Sequence, residues 1–146
     1  MRERHAMTYD TNNVFAKILR GEIPSHKVFE DDDVIAFMDV MPQAPGHTLV
    51  VPKAASRNLL DADPDVLGKL LPVAQKVARA VKEAFAADGV SVFQYNEAAG
   101  GQSVFHLHIH VVPRYEGVAL RRHSDTMEDQ AVLAANAEKV RTALGG

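Results

Sequence analysis

The architecture of this chain is indicated most clearly by the segment Phe105-His106-Leu107-His108-Ile109-His110-Val111-Val112-Pro113-Arg114. Histidines and apolar residues alternate in it, which is typical of a β-strand because successive side chains of a strand point to opposite faces. Read as one strand, the segment predicts that His106, His108 and His110 share one face and that the apolar residues between them face a core. The histidine face is then expected to meet solvent, a ligand or a cavity.

The spacing along this strand limits what the histidines can do together. Neighbouring members lie about 6.6 Å apart and the outer pair about 13 Å, whereas a zinc ion holds histidine nitrogen at about 2.0–2.1 Å. Two neighbours can converge on one ion, but three cannot without distortion. A phosphate ester suits the row better, because imidazole near neutral pH can attack phosphorus, donate a proton or hydrogen-bond to oxygen. A purely structural role is the alternative interpretation.

A glycine pair precedes the histidines in Gly100-Gly101-Gln102-Ser103. Glycines let backbone N–H groups approach and surround an anion. This is not a P-loop, since no Gly-Lys-Ser/Thr follows, and a glycine pair alone usually marks a turn. Beside a histidine face it is a candidate phosphate cradle, in which Ser103 can donate to a leaving group or an oxygen.

The composition is that of an ordinary globular domain: 146 residues, 47% hydrophobic and 24% charged. The net charge of −3 gives no reason to expect nucleic acid or an anionic membrane as partner. The chain has no cysteine, which excludes disulfides, thiolate catalysis and cysteine-ligated zinc, and which fits a cytoplasmic protein. No apolar run approaches the roughly 18 residues of a membrane span, and residues 1–7 lack the apolar core of a secretory signal.

The order of patterns predicts one domain. We expect residues 1–12 to be a disordered or tag-like arm and residues 13–146 to be a single domain that includes a C-terminal helix. Besides the histidine strand, strands are predicted at Lys27–Glu30, Val34–Met38, His47–Lys53 and Val90–Asn96.

Four helical segments are predicted. The first is Val14–Arg20, capped by Asn12 or Asn13 and followed by Gly21. A short helical turn is expected around residues 56–60. The long helix begins after Asp63-Pro64 and runs to about Asp88, with a kink or restart caused by Pro72 and with Gly89 closing it. The last runs from Thr126 to Leu144, capped by Ser124 or Asp125.

Several separated segments resemble the histidine-triad (HIT) family. Residues His106 to Val112 resemble its motif, His-x-His-x-His-x-x with an apolar residue at each x. Residues 15–24 resemble the amino-terminal segment of the family, and residues 36–40 with 45–53 resemble its nucleotide-binding hairpin. The matches cover most of the chain and occur in the order of the family.

The resemblance implies an α+β fold, with a mainly antiparallel sheet of about five strands, helices packed on it, and the sheet paired across a homodimer. It implies a hydrolase or transferase that cleaves the bond between the α-phosphate of a purine nucleotide and an amine or phosphate leaving group. In the Hint branch, which this chain resembles most, the leaving group is typically an amine. The expected partners are a purine nucleotide (AMP or GMP conjugate) and a second copy of the chain, with no cofactor, nucleic acid or membrane.

The resemblance also implies catalytic roles. His108 corresponds to the nucleophile, which forms a nucleotidyl-histidine that water then hydrolyses. His110 and His47 would flank the phosphate and stabilise charge or relay protons. His106 would support the site and orient its neighbours, and Ser103 would assist the leaving group.

Contacts with the nucleotide are implied for a second group of residues. Gln102 and Asn96 would contact oxygens of the phosphate or the leaving group. Asp39 would accept hydrogen bonds from the ribose hydroxyls, since a carboxylate is an acceptor. The residues that would sandwich the purine are Phe15, Ile18 and Phe37.

Two alternative functions stay open. One is a metalloenzyme that uses His106 with His108, or His108 with His110, and His47 as a third ligand; the other is a non-catalytic nucleotide-binding adaptor. Some bacterial members of the family hold zinc through paired cysteines, which this chain lacks, so no metal is predicted. The segment after Arg114 differs from the tail of animal Hint proteins, so the leaving group stays open.

Overall fold

The computed structural model describes residues 8–122 and 126–145. The elements in chain order are α1 (Val14–Leu19), β1 (Lys27–Glu30), β2 (Val34–Met38), β3 (Thr48–Pro52), α2 (Pro64–Ala84), β4 (Gly89–Phe93), β5 (Ile109–Arg114) and α3 (Gln130–Ala143). A short 3-10 helix, Ala98–Gly100, lies between β4 and β5. Within these ranges no helix combines the length and the apolar character needed to cross a membrane.

The five strands form one antiparallel sheet in the order β1-β2-β3-β5-β4. β2 and β3 pair along their whole length, from Val34 opposite Pro52 to Met38 opposite Thr48. β1 and β4 lie at the two edges. The predicted α+β fold with a mainly antiparallel sheet is confirmed; the pairing with a second copy and the division at residue 12 stay predictions.

Strand alternation separates the core into two layers. On one face, residues such as Ala36, Val50 and Val111 are buried against α2 and α3. On the other face, Ile35, Phe37, Leu49 and Val51 pack with Phe15 of α1. Burying a large apolar side chain stabilises a fold by about 1.5–3 kcal/mol, so both layers hold the sheet. β5 presents His110 between Ile109 and Val111, which places this histidine on the α1 face.

The long helix α2 begins as predicted and ends earlier. The Asp63 side chain accepts from the Asp65 N–H at 2.8 Å, and Pro64 occupies the first turn, where its missing N–H is not needed. The helix runs through Pro72 without a break, so the predicted restart is wrong. It ends at Ala84 because Ala86 adopts a positive φ of 49°. Gly89 starts β4 instead of closing the helix.

Three other predicted boundaries are corrected. β5 starts at Ile109 and not at Phe105, because the preceding residues are tied to loops: the Leu107 N–H donates to the Ser56 carbonyl at 2.9 Å. Residues 56–60 form turns and not a helical turn. α3 starts at Gln130, with Asp129 as its cap, since the Asp129 carboxylate accepts from the Ala131 N–H at 2.8 Å. The predicted caps Ser124 and Asp125 lie outside the described residues.

Candidate functional site

A cavity of ≈ 600 Å³ lies between α1, the β2–β3 pair and the start of β5. It brings together seven of the residues that the sequence singled out. These seven are Phe15, Ile18, Phe37, Asp39, Ser103, His108 and His110. The remaining lining residues are largely apolar, with Ser25, His26 and Gln130 as the polar exceptions.

The short helix α1 supplies one wall. Its first turn is capped by the Asn13 side chain, which accepts from the Ala16 N–H at 2.9 Å. Gly21 follows with φ of 76°, a conformation that glycine adopts without strain. The cap fixes the rotation of the helix so that Phe15 and Ile18 face the sheet, where Phe15 meets Phe37 edge-on at 5.4 Å between ring centroids.

His108 is fixed in one tautomer by a backbone group. Its Nδ1 lies 2.6 Å from the carbonyl oxygen of His106. A carbonyl only accepts, so Nδ1 carries the proton, and in the neutral ring Nε2 keeps a lone pair. Phe15 meets the ring edge-on at 4.8 Å, and the side chain, although 8% exposed, lines the cavity.

His47 lies behind the cavity, fully buried, and is fixed in the opposite tautomer. The Gln43 N–H donates to its Nδ1 at 3.0 Å, so the proton of the neutral ring sits on Nε2. That nitrogen is 3.0 Å from His110 Nδ1 and 3.4 Å from an Asp39 carboxylate oxygen. If the Nε2–H of His47 donates to His110 Nδ1, neutral His110 carries its own proton on Nε2 and can donate it.

His106 does not line the cavity and does not share a strand face with the other two histidines. Its Nε2 donates to the Pro52 carbonyl at 2.7 Å, and its Nδ1 lies 2.5 Å from the Tyr9 hydroxyl. Burial lowers the pKa of this imidazole below its ordinary value, while the bond to the Pro52 carbonyl partly opposes the shift. The predicted row of three histidines on one strand face is therefore corrected to two cavity residues and one buried neighbour.

Gln102 and Asn96 hold the loop and do not line the cavity. The Gln102 amide nitrogen donates to the carbonyls of Arg57 and Val104, and its oxygen accepts from the Glu97 N–H at 2.8 Å. The Asn96 side chain accepts from the Leu59 N–H at 2.9 Å. Their predicted contacts with phosphate oxygens stay predictions.

The loop before Ser103 is anchored by residues that the sequence analysis did not single out. Arg57 binds both carboxylate oxygens of Glu97, at 2.8 and 2.9 Å, and lies over the Phe105 ring. This guanidinium, mainly through its hydrogen bonds, lowers the pKa of the Glu97 carboxyl below its ordinary value. Buried Asn58 donates to Glu97 and Gln102. No local sequence motif pointed to this network, because its members lie about forty positions apart.

One group of side chains has the spacing of metal ligands. Among the residues that the structure describes, Asp39, His47 and His110 offer donor atoms within 4.8 Å of one another. The donation from Gln43 opposes metal binding, because His47 Nε2 can bind a cation only if it loses the proton that this tautomer places there. The set also differs from the ligand sets that the sequence suggested.

Comparisons with known proteins agree with this geometry. A model of the HIT domain family matches residues 20–117. The crystal structure of a Hit-like protein involved in cell-cycle regulation from Bartonella henselae, solved with an unknown ligand, has a TM-score of 0.88 and 57% identity, and covers 93% of this chain and 99% of its own. Purine nucleoside phosphoramidase of Escherichia coli is 39% identical over 102 residues, 68% of this chain and 84% of that protein. Adenylylsulfatase HINT3 of Arabidopsis thaliana is 35% identical over 130 residues, 85% of this chain and 66% of that protein.

Proposed function

This chain belongs to the HIT domain family, and on that basis we propose that it is a nucleotide-binding hydrolase or transferase. Its reaction cleaves the bond between the α-phosphate of a purine nucleotide and the leaving group, through a covalent nucleotidyl-histidine on His108. The names of two relatives, a phosphoramidase and an adenylylsulfatase, support an α-phosphate that carries either an amine or an oxyanion as its leaving group.

The observation that carries the proposal is the hydrogen bond of 2.6 Å from His108 Nδ1 to the His106 carbonyl. It leaves the lone pair on Nε2 of a side chain that lines the cavity. A neutral imidazole held in this way is a nucleophile near pH 7, and a covalent intermediate divides one difficult displacement into two easier steps.

The first step forms a bond between His108 Nε2 and the α-phosphorus while the bond to the leaving group breaks. The leaving group departs with the bonding electron pair and takes a proton from the Ser103 hydroxyl or from His110 Nε2. In the second step water attacks phosphorus, the bond to His108 breaks, and the proton of the water returns to the donor. The products are a nucleoside monophosphate and the free leaving group.

His47 and His110 support the charge that develops on the phosphate. Buried Asp39, 3.4 Å from His47 Nε2, favours the tautomer in which that nitrogen carries the proton. A donor aimed at the phosphate oxygens stabilises the transition state more than the ground state, because negative charge concentrates there. Asp39 is also the proposed acceptor for the ribose hydroxyls, with one of its oxygens already bound by the Met41 N–H at 2.9 Å.

The purine is proposed to lie against Phe15, Ile18 and Phe37. A base stacked between two rings needs about 7–8 Å between them, two van der Waals contacts, but the centroids of Phe15 and Phe37 are 5.4 Å apart. The base therefore packs along this aromatic pair and does not enter between the rings. Apolar contact of this kind is compatible with adenine and with guanine.

A homodimer is proposed from the exposed edge of the sheet. Among the residues that the structure describes, β4 pairs on one side only, with β5. Val92 on this strand is 49% exposed, and Tyr95 just beyond it is 41% exposed. An unprotected apolar edge strand is a template for pairing with another chain, and a second copy would satisfy its free N–H and C=O groups.

Mass spectrometry of the reaction tests the mechanism. The protein is mixed with adenosine 5′-phosphoramidate, quenched in denaturant at alkaline pH, and digested. We expect one adenylyl group on the peptide that contains His108. His108→Ala should reduce the release of AMP by at least about a thousandfold while AMP binding, measured by calorimetry, persists. Label on another residue would reassign the nucleophile, and binding without any turnover by the wild type would favour the adaptor.

A further inference from the structure

His106 is held at both ring nitrogens by segments distant in sequence. Nε2 donates to the carbonyl of Pro52 at the end of β3, at 2.7 Å. Nδ1 then has the lone pair and accepts from the Tyr9 hydroxyl at 2.5 Å. The tyrosine ring also meets the imidazole edge-on, with 5.6 Å between centroids. The ring of a residue with no exposed surface is thereby fixed on two sides.

The same residue supplies the acceptor that holds His108. The carbonyl of His106 accepts from His108 Nδ1 at 2.6 Å, and the next amide, that of Leu107, donates to the Ser56 carbonyl at 2.9 Å. The peptide group between His106 and Leu107 is therefore bound at both of its polar atoms. If it tilts, the acceptor turns away from His108 Nδ1, and the proton is free to move to Nε2, where it blocks the lone pair that attacks phosphorus.

Tyr9 belongs to a short strap, defined here as residues 8–12, that is bound to the domain at several points. The Thr8 carbonyl accepts from Arg57 Nη1 at 3.2 Å. The Thr11 carbonyl accepts from Arg20 Nη1 at 2.7 Å. The strap thus connects the loop anchor at Arg57 and the end of α1 with the rear side of the histidine segment.

We propose that Tyr9 is a positioning residue that, through His106, keeps the acceptor for His108 Nδ1 in place and so maintains the tautomer in which His108 Nε2 is a nucleophile. The inference deepens the function proposed above and rests on it for its catalytic consequence. Tyr9 touches neither the cavity nor the reacting atoms. Its effect is therefore expected on the chemical step and not on nucleotide binding.

Turnover of Tyr9→Phe gives the first test, because this change removes one hydroxyl and keeps the ring. The control is Tyr115→Phe. It removes a hydroxyl that donates to the Phe85 carbonyl over 2.6 Å, and Tyr115 does not line the cavity. We expect Tyr9→Phe to lower kcat for AMP release about tenfold with KM changed less than about twofold, and Tyr115→Phe to change neither. Equal losses in the two variants, or a kcat for Tyr9→Phe equal to that of the wild type, would overturn the proposal.

Long-range ¹H–¹⁵N NMR of the histidine rings gives a readout that does not depend on activity. We expect the wild type to show the Nδ1–H tautomer at His108 and the Nε2–H tautomer at His106, and Tyr9→Phe to show a mixture at His108. An unchanged His108 tautomer in Tyr9→Phe refutes the positioning role. If the wild type releases no AMP but the tautomer shifts, the proposed function fails and the positioning role stands.

Discussion

At the scale of single residues, the histidines of this site differ by the backbone group each one meets. The carbonyl of His106 accepts from His108 and so keeps the proton of that ring on Nδ1, whereas the N–H of Gln43 donates to His47 Nδ1 and leaves the proton of that ring on Nε2. The carbonyl of Pro52 places the proton of His106 on Nε2. Identical side chains thus differ in which ring nitrogen can accept, because a ring nitrogen can either donate or accept but not both.

His106 makes stability depend on pH. Its pKa is lowered in the folded state, so between the folded and unfolded pKa values the unfolded chain binds more protons. Stability from this group is therefore complete above the unfolded pKa, about 6.5, and falls as the pH drops through that value, by at most about 1.4 kcal/mol per pH unit. Urea unfolding between pH 7.5 and 5 should show a shallower decline for His106→Asn than for the wild type; equal slopes would contradict this assignment.

At the scale of elements, two boundaries are set by residues other than glycine with positive φ. Glu97 has φ of 67° and is held there by Arg57 and Asn58, so the turn that leads to Ser103 keeps its shape. Ala86 has φ of 49° and ends α2. The left-handed conformation is unfavourable for residues that carry a Cβ atom. At Glu97 side-chain contacts offset this cost, whereas exposed Ala86 has no side-chain polar group to do so.

Ala86→Gly should stabilise the protein for this reason. Glycine adopts positive φ without the Cβ clash but loses more entropy on folding, so we expect a net gain of about 0.5–1 kcal/mol in the free energy of unfolding. The matched control is Ala78→Gly in the body of α2, where the same change should destabilise by about 1 kcal/mol. Chemical denaturation of the two variants measures both, and a loss of stability in Ala86→Gly would refute the strain argument.

At the scale of the whole molecule, the sheet separates a scaffold from a site. α2 and α3 cover one face and form the larger core. The other face carries α1, the smaller apolar cluster and the cavity. His110 stands on β5, and His108 and His47 directly precede β5 and β3. These strands are fixed from behind by the scaffold, which preorganises the geometry of the histidines. The β4 edge is the surface through which the proposed homodimer would pair.

Val92→Lys tests that assembly. A charge on the edge strand opposes edge-to-edge pairing, so we expect light scattering to report a dimer for the wild type and a monomer for the variant. Val118→Lys is the control, since Val118 is 57% exposed but lies outside the sheet, and it should remain dimeric. A monomeric wild type at micromolar concentration, or a dimeric Val92→Lys, would argue against pairing through β4.

Local patterns in the sequence were sufficient to predict most of the helices and strands. Two strand candidates separated by the acidic turn Asp31-Asp32-Asp33 predicted β1 and β2 with the bounds observed, and the Asn13 and Asp63 caps predicted where α1 and α2 begin. The histidine motif, together with the other segments that resemble the family, predicted the family and seven of the residues that line the cavity. These features depend on a few neighbouring residues, so a sequence contains them directly.

Tertiary structure alone decided where each histidine lies and which of its ring nitrogens carries the proton. Strict alternation suggested one row, but the bonds of His106 to Pro52 and of Leu107 to Ser56 pull the first histidine out of the strand. Tyr9 and Arg57 have no local signature because each acts across a long sequence separation. Gln43 is close to His47 in sequence but acts through its backbone N–H, which its residue type does not reveal. Proton positions on imidazole follow from such contacts, and a linear pattern does not specify them.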